Sequence, residues 1–446
     1  MDTLISQSVY KEGDVIIGGL FSINLQPPEP NLDFTQRSAP SGCQSFYVRA
    51  YRWLQTMIFA VEEINRNPQL LPNLTLGYAL ADTCLAEGAA LSAALRLVTG
   101  KDRVVTGSGC GRTPKVPVIV GDSRSSSSIV IARTLGVFSI PMVSYYSTCA
   151  CLGDRLKYPT FFRTVPSDAF QARAMAHMLR LFGWTWVGVI AGDEAYGRSG
   201  IQLLLKELEN SEVCVAFSEV IPKVNLETSI LRIVETLRHS TAKVIVTFAI
   251  TADMQVLLME VVKQNITDKQ WIATESWSTS SLISAPQNLP SLKGTIGCAL
   301  RKANIQGLRS FLNRIQPKAL PSDPFVQEFW ESMFGCSLRN ESIPSLLARP
   351  QCTGDGPFEK GGCPDVTNIQ PWQILHYLHT VNFTTPVGEA THFDENGDPP
   401  AAYDIINWQM GAQGTVEFVN VGKFVNSKFD IDVKRVVWGG GQNEVK

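Results

Sequence analysis

Nowhere in this 446-residue chain do about 20 apolar residues follow one another, the length a membrane-spanning helix requires. The opening residues, Met1-Asp2-Thr3-Leu4-Ile5-Ser6, lack the basic flank and long apolar core of a signal peptide. Charge is scarce and balanced: 39 Lys and Arg stand against 41 Asp and Glu, a formal net charge of −2. Such a chain has no basic field, which excludes roles that rest on holding nucleic acid or an anionic membrane surface. The 10 cysteines form no CxxC pair and no zinc spacing. There is no G-x-S-x-G elbow, no G-x-x-x-x-G-K-S/T loop, no H-E-x-x-H and no G-x-G-x-x-G after a strand. The familiar sites of serine hydrolases, P-loop proteins, zinc proteases and dinucleotide enzymes are thereby excluded. The sequence is read as a binding protein and not an enzyme, with no cofactor and no metal.

Two weaker patterns have ordinary explanations. His376 and His379 lie three apart on an expected helix, 372–379, but no further ligands cluster with them. Asp394, Asn396 and Asp398 imitate the first positions of a calcium loop, yet its glycine and distal glutamate are misplaced, so a turn is expected.

What is there describes a globular chain. Hydrophobic residues make up 44%, and the length predicts two or three domains. Widely dispersed cysteines suit disulfides better than metal. Four glycosylation sequons begin at Asn73, Asn265, Asn340 and Asn382. Together these point to the secretory pathway and the extracellular side of the plasma membrane. The missing signal peptide then implies a trimmed or incomplete chain.

Along the sequence, apolar runs alternate with helical periodicity. The run 14–23 reads as a buried parallel strand. Over 49–66, Trp53, Leu54, Met57, Ile58, Val61 and Ile64 share one helical face, and Asn67-Pro68 ends it. Strands are expected at 74–80, 116–121, 140–145, 161–165, 186–191, 213–220, 243–249 and 270–274. Helices are expected at 87–98, 126–135, 169–182, 200–209, 229–238 and 252–263. This is βαβ repetition, which predicts parallel sheets covered by helices on both faces. So many units exceed one compact sheet, so two Rossmann-like lobes are expected. Ligands of such sheets bind at the carboxyl ends of the strands, and two lobes facing each other would share one cleft.

Several of those strand ends carry chemistry. Gly121-Asp-Ser-Arg-Ser-Ser-Ser-Ser128 follows a strand and opens a helix. Free N–H groups and the helix dipole there favour an anion; simple serine capping is the alternative. Ser144-Tyr-Tyr-Ser-Thr148 lies one βα unit later. Asp168 follows the strand 161–165, where it could cap a helix with Gln171 or accept a hydrogen bond from a ligand ammonium. Asp193, Glu194 and Tyr196 lie beyond the strand ending at 191, and Glu275 beyond 270–274. Hydroxyls and an anion site on one side, acids on the other, are the complement of a zwitterion.

These residues sit in recognisable motifs. They include Arg52-Trp-Leu-Gln-Thr-Met-Ile-Phe-Ala-Val-Glu-Glu-Ile-Asn65, Leu71-Pro-Asn-Leu-Thr-Leu-Gly-Tyr78, Phe162-Arg-Thr-Val-Pro-Ser-Asp168, Tyr196-Gly-Arg-Ser-Gly200 and Phe393-Asp-Glu-Asn-Gly-Asp398. With Phe329-Trp-Glu, Pro371-Trp-Gln and Val381-Asn-Phe-Thr-Thr385, they resemble the extracellular Venus-flytrap domain of class C G-protein-coupled receptors. The resemblance is to the calcium-sensing-like and vomeronasal type-2 (fish olfactory type C) group and runs from Asp14 to Trp438. It implies two lobes of the type I periplasmic-binding-protein kind, lobe 1 from 14–163 plus 300–395 and lobe 2 from 164–299 plus 396–438.

It also implies that the domain binds an amino acid or related small molecule, closes, and signals within a homo- or heterodimer. Ser125, Ser147 and Thr148 would hold the ligand's carboxylate and amine from lobe 1. Asp168 and Tyr196 would hold the ammonium from lobe 2, with Glu275 at the hinge side and Arg49 and Trp53 near the ligand's distal end. The resemblance pairs Cys43 with Cys84 and Cys336 with Cys352, matches Cys110 to the dimer cross-link, and matches Cys214 to a cysteine that bonds a downstream domain. Cys149, Cys151 and Cys298 are additional. After Gly356 a few dozen residues of the family's pattern, including a lobe 1 helix, are missing, and Cys363 loses its partner. A shortened chain that expresses poorly is therefore expected, with any G-protein contact belonging to a membrane domain that it lacks. A soluble amino-acid carrier of the same fold is the alternative reading, and an amidase-like enzyme a more distant one.

Overall fold

The computed structural model describes residues 8–26, 43–100, 116–318, 320–334, 337–338, 375, 378–385, 388–411, 414–425 and 427–439. Cys110, Asn340, the proposed Cys336–Cys352 pair, Cys363 and the junction after Gly356 lie outside them.

Two separate sheets organise the chain. The first runs in the order β1 (Ser8–Lys11), β5 (Leu76–Asp82), β2 (Val15–Phe21), β6 (Ile119–Val120), β7 (Met142–Ser144), β8 (Phe161–Arg163). All its neighbours are parallel except β1, which pairs antiparallel with β5 and precedes the strand expected first in the sequence. The strand expected at 116–121 shortens to two residues. Period-two alternation splits its side chains between two cores. On β5, Ala79 and Ala81 face α2 (Glu87–Thr99) and α3 (Ser125–Val137), while Tyr78 and Leu80 face α1 (Val48–Arg66). A short hairpin, β3 (Asn24–Gln26) with β4 (Gln44–Phe46), leads into α1.

The second sheet has eight strands. β10 (Cys214–Ile221), β9 (Trp186–Gly192), β11 (Val244–Phe248), β12 (Gln270–Ala273) and β13 (Ile296–Leu300) are parallel. An antiparallel meander, β16 (Ala402–Met410), β17 (Val416–Val425) and β18 (Lys428–Ile431), extends it. Here Val244, Val246 and Phe248 join a core under α4 (Asp168–Leu181) and α5 (Ala195–Leu208). Ile245 faces the other way, towards α6 (Leu226–His239) and α7 (Thr251–Lys263). Both faces of each sheet are covered, as uninterrupted apolar strands require.

The chain crosses between the sheets three times. It leaves the first after β8. After β13 and α8 (Leu289–Leu292), which precedes it, the chain returns to α1 through α9 (Leu308–Leu312) and α10 (Pro324–Phe334). Phe311 packs on Phe59 with ring centroids 5.4 Å apart, and Phe329 stacks on Tyr51 at 4.7 Å. It then crosses back after the hairpin β14 (Asn382–Thr384) and β15 (Ala390–His392). At this crossing the buried guanidinium of Arg163 meets Asp398 at 2.6 and 3.1 Å, and also donates to the carbonyls of Ser147 and Cys149. The turn expected at 394–400 is therefore part of the crossing between the two sheets.

Cys43 and Cys84 are bonded, with Cα atoms 5.7 Å apart. So are Cys149 and Cys151, which the resemblance left unassigned. Cys214 is exposed and Cys298 buried. Asn73, Asn265 and Asn382 are exposed. Among the described residues no helix is long and apolar enough to cross a membrane.

Candidate functional site

The carboxyl ends of the parallel strands of both sheets open on one cleft, and apart from those on α1 the residues of interest follow a strand. From the first sheet come the loop after β6, which ends in the first turn of α3, and the loop after β7. From the second come Glu194 after β9, Ile250 after β11, and Glu275 and Ser276 after β12. An inner cavity is lined by Ser125, Tyr146 and Thr148 on one side and Glu194, Tyr196 and Glu275 on the other. It continues into a larger outer cavity that includes Tyr47, Arg49, Trp53, Arg124 and Thr251.

The lobes touch directly across this cleft. The Tyr146 hydroxyl donates to the Glu275 carbonyl at 3.2 Å, and Arg49 donates to the carbonyls of Ser276 and Thr279. The Ala195 N–H donates to Ser126 Oγ at 3.4 Å. Trp53 packs on Tyr146 at 4.9 Å and Tyr145 at 5.3 Å, forming an aromatic wall. Trp53 thus lies at the edge of the α1 core, whose fully buried face carries Ala50, Tyr51, Leu54, Ile58 and Val61, and also borders the cleft.

On the first-sheet side, α3 presents first-turn N–H groups, which have no acceptor within the helix. Ser125 Oγ accepts from the Cys149 N–H at 3.2 Å and tethers the two loops. Ser147 does not line the cavity. Its hydroxyl lies 2.7 Å from Ser128 Oγ and donates to the Asp122 carbonyl at 2.9 Å, so it braces the loop behind.

On the opposite side, acids lie in two layers. Tyr196 OH donates to Glu275 Oε2 at 3.2 Å. Asp168 lies behind, fully buried, and one of its oxygens accepts from Gln171 Nε2. Gln171 Oε1 in turn accepts the Glu275 N–H at 2.9 Å. The helix cap is not Asp168, as the capping-box reading supposed, but Ser167, whose hydroxyl accepts from the Ala169 N–H. Asp168 is therefore released from capping. Its Oδ2 and the Oε2 of Glu194 are buried without a hydrogen-bond partner.

Burial sets the protonation of these groups. It raises the Glu275 carboxyl to about 7 and, helped by the Glu275 charge, holds Asp168 well above the usual carboxylate range. Burial likewise raises Glu194, against the opposing pull of Arg124 and Lys223. Arg163 also acts on Asp168, but among the described residues none of the three acids forms an ion pair, and such a cluster suits an incoming ammonium, which would favour their ionised forms. Opposite it, helix N–H groups suit a carboxylate.

Of the residues singled out in the sequence, Ser125, Thr148, Tyr196 and Glu275 meet in the inner cavity and Arg49 and Trp53 in the outer. Ser147 and Asp168 stand one layer back. Sequence reasoning gave no separate role to Arg124, Tyr146, Ile250 or Ser276. Their one legible signal was position beyond a strand end.

Fold and cleft define a two-lobed receptor-type ligand-binding module. Residues 52–411 match the family model "Receptor family ligand binding region". The chain belongs to that family, as the extracellular ligand-binding region of a class C G-protein-coupled receptor. It is 36% identical over 514 residues to the human extracellular calcium-sensing receptor, covering 98% of this chain and 48% of that protein. Human G-protein coupled receptor family C group 6 member A is 30% identical, covering 89% and 48%. Mouse metabotropic glutamate receptor 8 is 28% identical, covering 98% and 52%. The chain spans about half the length of these relatives.

Proposed function

We propose that this region binds an amino acid between its lobes and reports it by lobe closure within a dimer, as part of a chemosensory receptor of the vomeronasal or fish olfactory kind. The observation that carries the reading is the polarity of the inner cavity. Helix N–H groups and Ser125 lie on one side, and Glu275, Tyr196 and the second-layer Asp168 on the other. A zwitterion with its carboxylate towards α3 and its ammonium towards Glu275 satisfies both. Direct bonds between the lobes around the cavity support closure over the ligand. The two-sheet topology supports the division into 14–163 with 300–395 and 164–299 with 396–438.

Dimerisation is supported by α3, which ends in Val137 and Phe138, 79% and 60% exposed. The partner is a second copy or another class C receptor, and coupling to a G protein belongs to a membrane domain. The exposed sequons at Asn73, Asn265 and Asn382 support glycosylation and an extracellular location.

A thermal-shift panel of the twenty amino acids tests the proposal. Ligand at a hundredfold excess over Kd stabilises by about 2.7 kcal/mol. Wild-type protein should respond to at least one amino acid, and Glu275→Gln should respond much less. A folded wild-type sample indifferent to all twenty would rule the reading out.

A further inference from the structure

Charge is partitioned along the cleft. The inner cavity carries the carboxylates of Glu194 and Glu275. The outer cavity carries two guanidiniums, Arg49 and Arg124, and no acidic side chain among the described residues that line it. Nearby acids are already engaged: both oxygens of Asp253 are held by Lys223 Nζ, one of them at 2.7 Å. Glu194 spends Oε1 on the Gly197 N–H, while its Oε2 is buried without a hydrogen-bond partner.

The two arginines differ in their freedom. Arg49 is tied to the carbonyls of Ser276 and Thr279 and so helps hold the lobes together. Arg124 donates through Nη1 to the Leu85 carbonyl at 2.7 Å, but its Nε is buried with no acceptor. Among the described residues no carboxylate lies within ion-pair distance of it, and the nearby Glu194 and Asp253 carboxyls act on it only at longer range. It stands where the two cavities join, immediately before α3, whose dipole adds to the positive potential. A buried donor without a partner is costly, and an anionic group entering from the ligand would supply one. A cationic side chain would instead face two guanidiniums, a built-in penalty against basic ligands.

We infer that Arg124 is the specificity-determining residue of this cleft and that the preferred amino acid carries a side chain ending in a carboxylate. The inference rests on the amino-acid reading above. The ligand's methylenes lie along the Trp53–Tyr146 wall, and its distal carboxylate accepts from Arg124.

Calorimetry with glutamate, glutamine, lysine and glutarate tests it on wild type and on Arg124→Gln, Arg124→Met and Arg124→Glu, each first shown to melt cooperatively. Two neutral replacements guard against one that fails to fold. Wild type should prefer glutamate to glutamine by about tenfold or more, a charge-assisted hydrogen bond's worth. Either neutral variant should erase most of that ratio, and Arg124→Glu should turn the preference towards lysine. Equal weakening of glutamate and glutamine would mean that Arg124 serves the α-carboxylate, and would overturn the inference. So would a wild-type preference for glutamine or lysine. Binding of glutarate without any amino acid would sink the amino-acid reading while sustaining an anion site at Arg124. Silence from all four ligands would overturn the inference, and the panel of twenty amino acids would then decide the amino-acid reading.

Discussion

Glu275 is where, under the proposed amino-acid reading, a change of pH reaches the ligand. Its carboxyl is raised to about 7 because it is buried, and an ammonium binds best to the ionised form. Amino-acid affinity should therefore climb from pH 5 to about 7 and level off above, and Glu275→Gln should flatten the profile. The ligand-free fold has the opposite dependence. A carboxyl whose folded pKa lies above its unfolded value favours the protonated native state. That stability is fully present below the unfolded pKa and is lost, by at most about 1.4 kcal/mol per pH unit, as pH rises through the folded pKa. Denaturant titrations at pH 5 and 7.5 check the sign; a stability that rises over this interval, relative to Glu275→Gln, would contradict it. Asp168→Ala should lower ligand affinity by roughly 2–5 kcal/mol while the fold survives, because Ser167 and not Asp168 caps α4. Normal affinity in the folded variant would leave Asp168 a packing role only. The sequence exposed these acids because each follows a strand. It did not reveal that Asp168 reaches Glu275 through Gln171, since that relay joins α4 to the loop after β12, 104 positions apart.

At the scale of elements, α5 shows how backbone approach positions the site. A Cβ on Gly197 would stand 2.3 Å from the Gly192 carbonyl oxygen, so only glycine lets the start of α5 close on the end of β9. That closeness sets Tyr196 beside Glu275. Gly197→Ala should destabilise by about 1–3 kcal/mol and weaken ligand binding with it; unchanged urea midpoint and affinity would count against the packing account. α3 makes a second case. Its amino end lines the inner cavity and its carboxyl end leaves Val137 and Phe138 exposed. Phe138→Glu should shift the protein towards monomer in sedimentation without altering its melting, whereas an unaltered association state would remove α3 from the interface. Most of these elements were legible. Alternation of strand and helix held from 186 to 274, because parallel strands buried on both faces have to be continuous apolar runs. α1 was legible as a helix with its apolar face: Trp53 is in register and packs at the edge of that core, where it also meets an aromatic wall made by the loop after β7. Periodicity placed Trp53 on that face but could not show that the same edge borders the cleft. The antiparallel extension β16–β18 had no βα rhythm to announce it.

For the whole molecule, the decisive connection is the buried pair of Arg163 and Asp398 at the crossing between the lobes. Sequence reading gave Asp398 to an ordinary turn and could not supply its partner, which lies 235 positions away. Removing one member of a buried pair leaves the other charged and unpaired, which costs about 3–5 kcal/mol. Asp398→Asn should therefore lower unfolding free energy by that order. The effect should also reach the ligand. Arg163 holds the carbonyls of Ser147 and Cys149, which flank Thr148, a residue of the inner cavity wall. Loosening Arg163 loosens Thr148, so affinity should fall together with stability. Replacing both members, as Arg163→Met with Asp398→Leu, separates the two consequences. The uncompensated charge is gone, so most of the stability should return. The two carbonyls still lack their donor, so affinity should stay low. Recovery of both properties in the double variant would show that the pair acts through charge alone and that the hinge does not position the cavity.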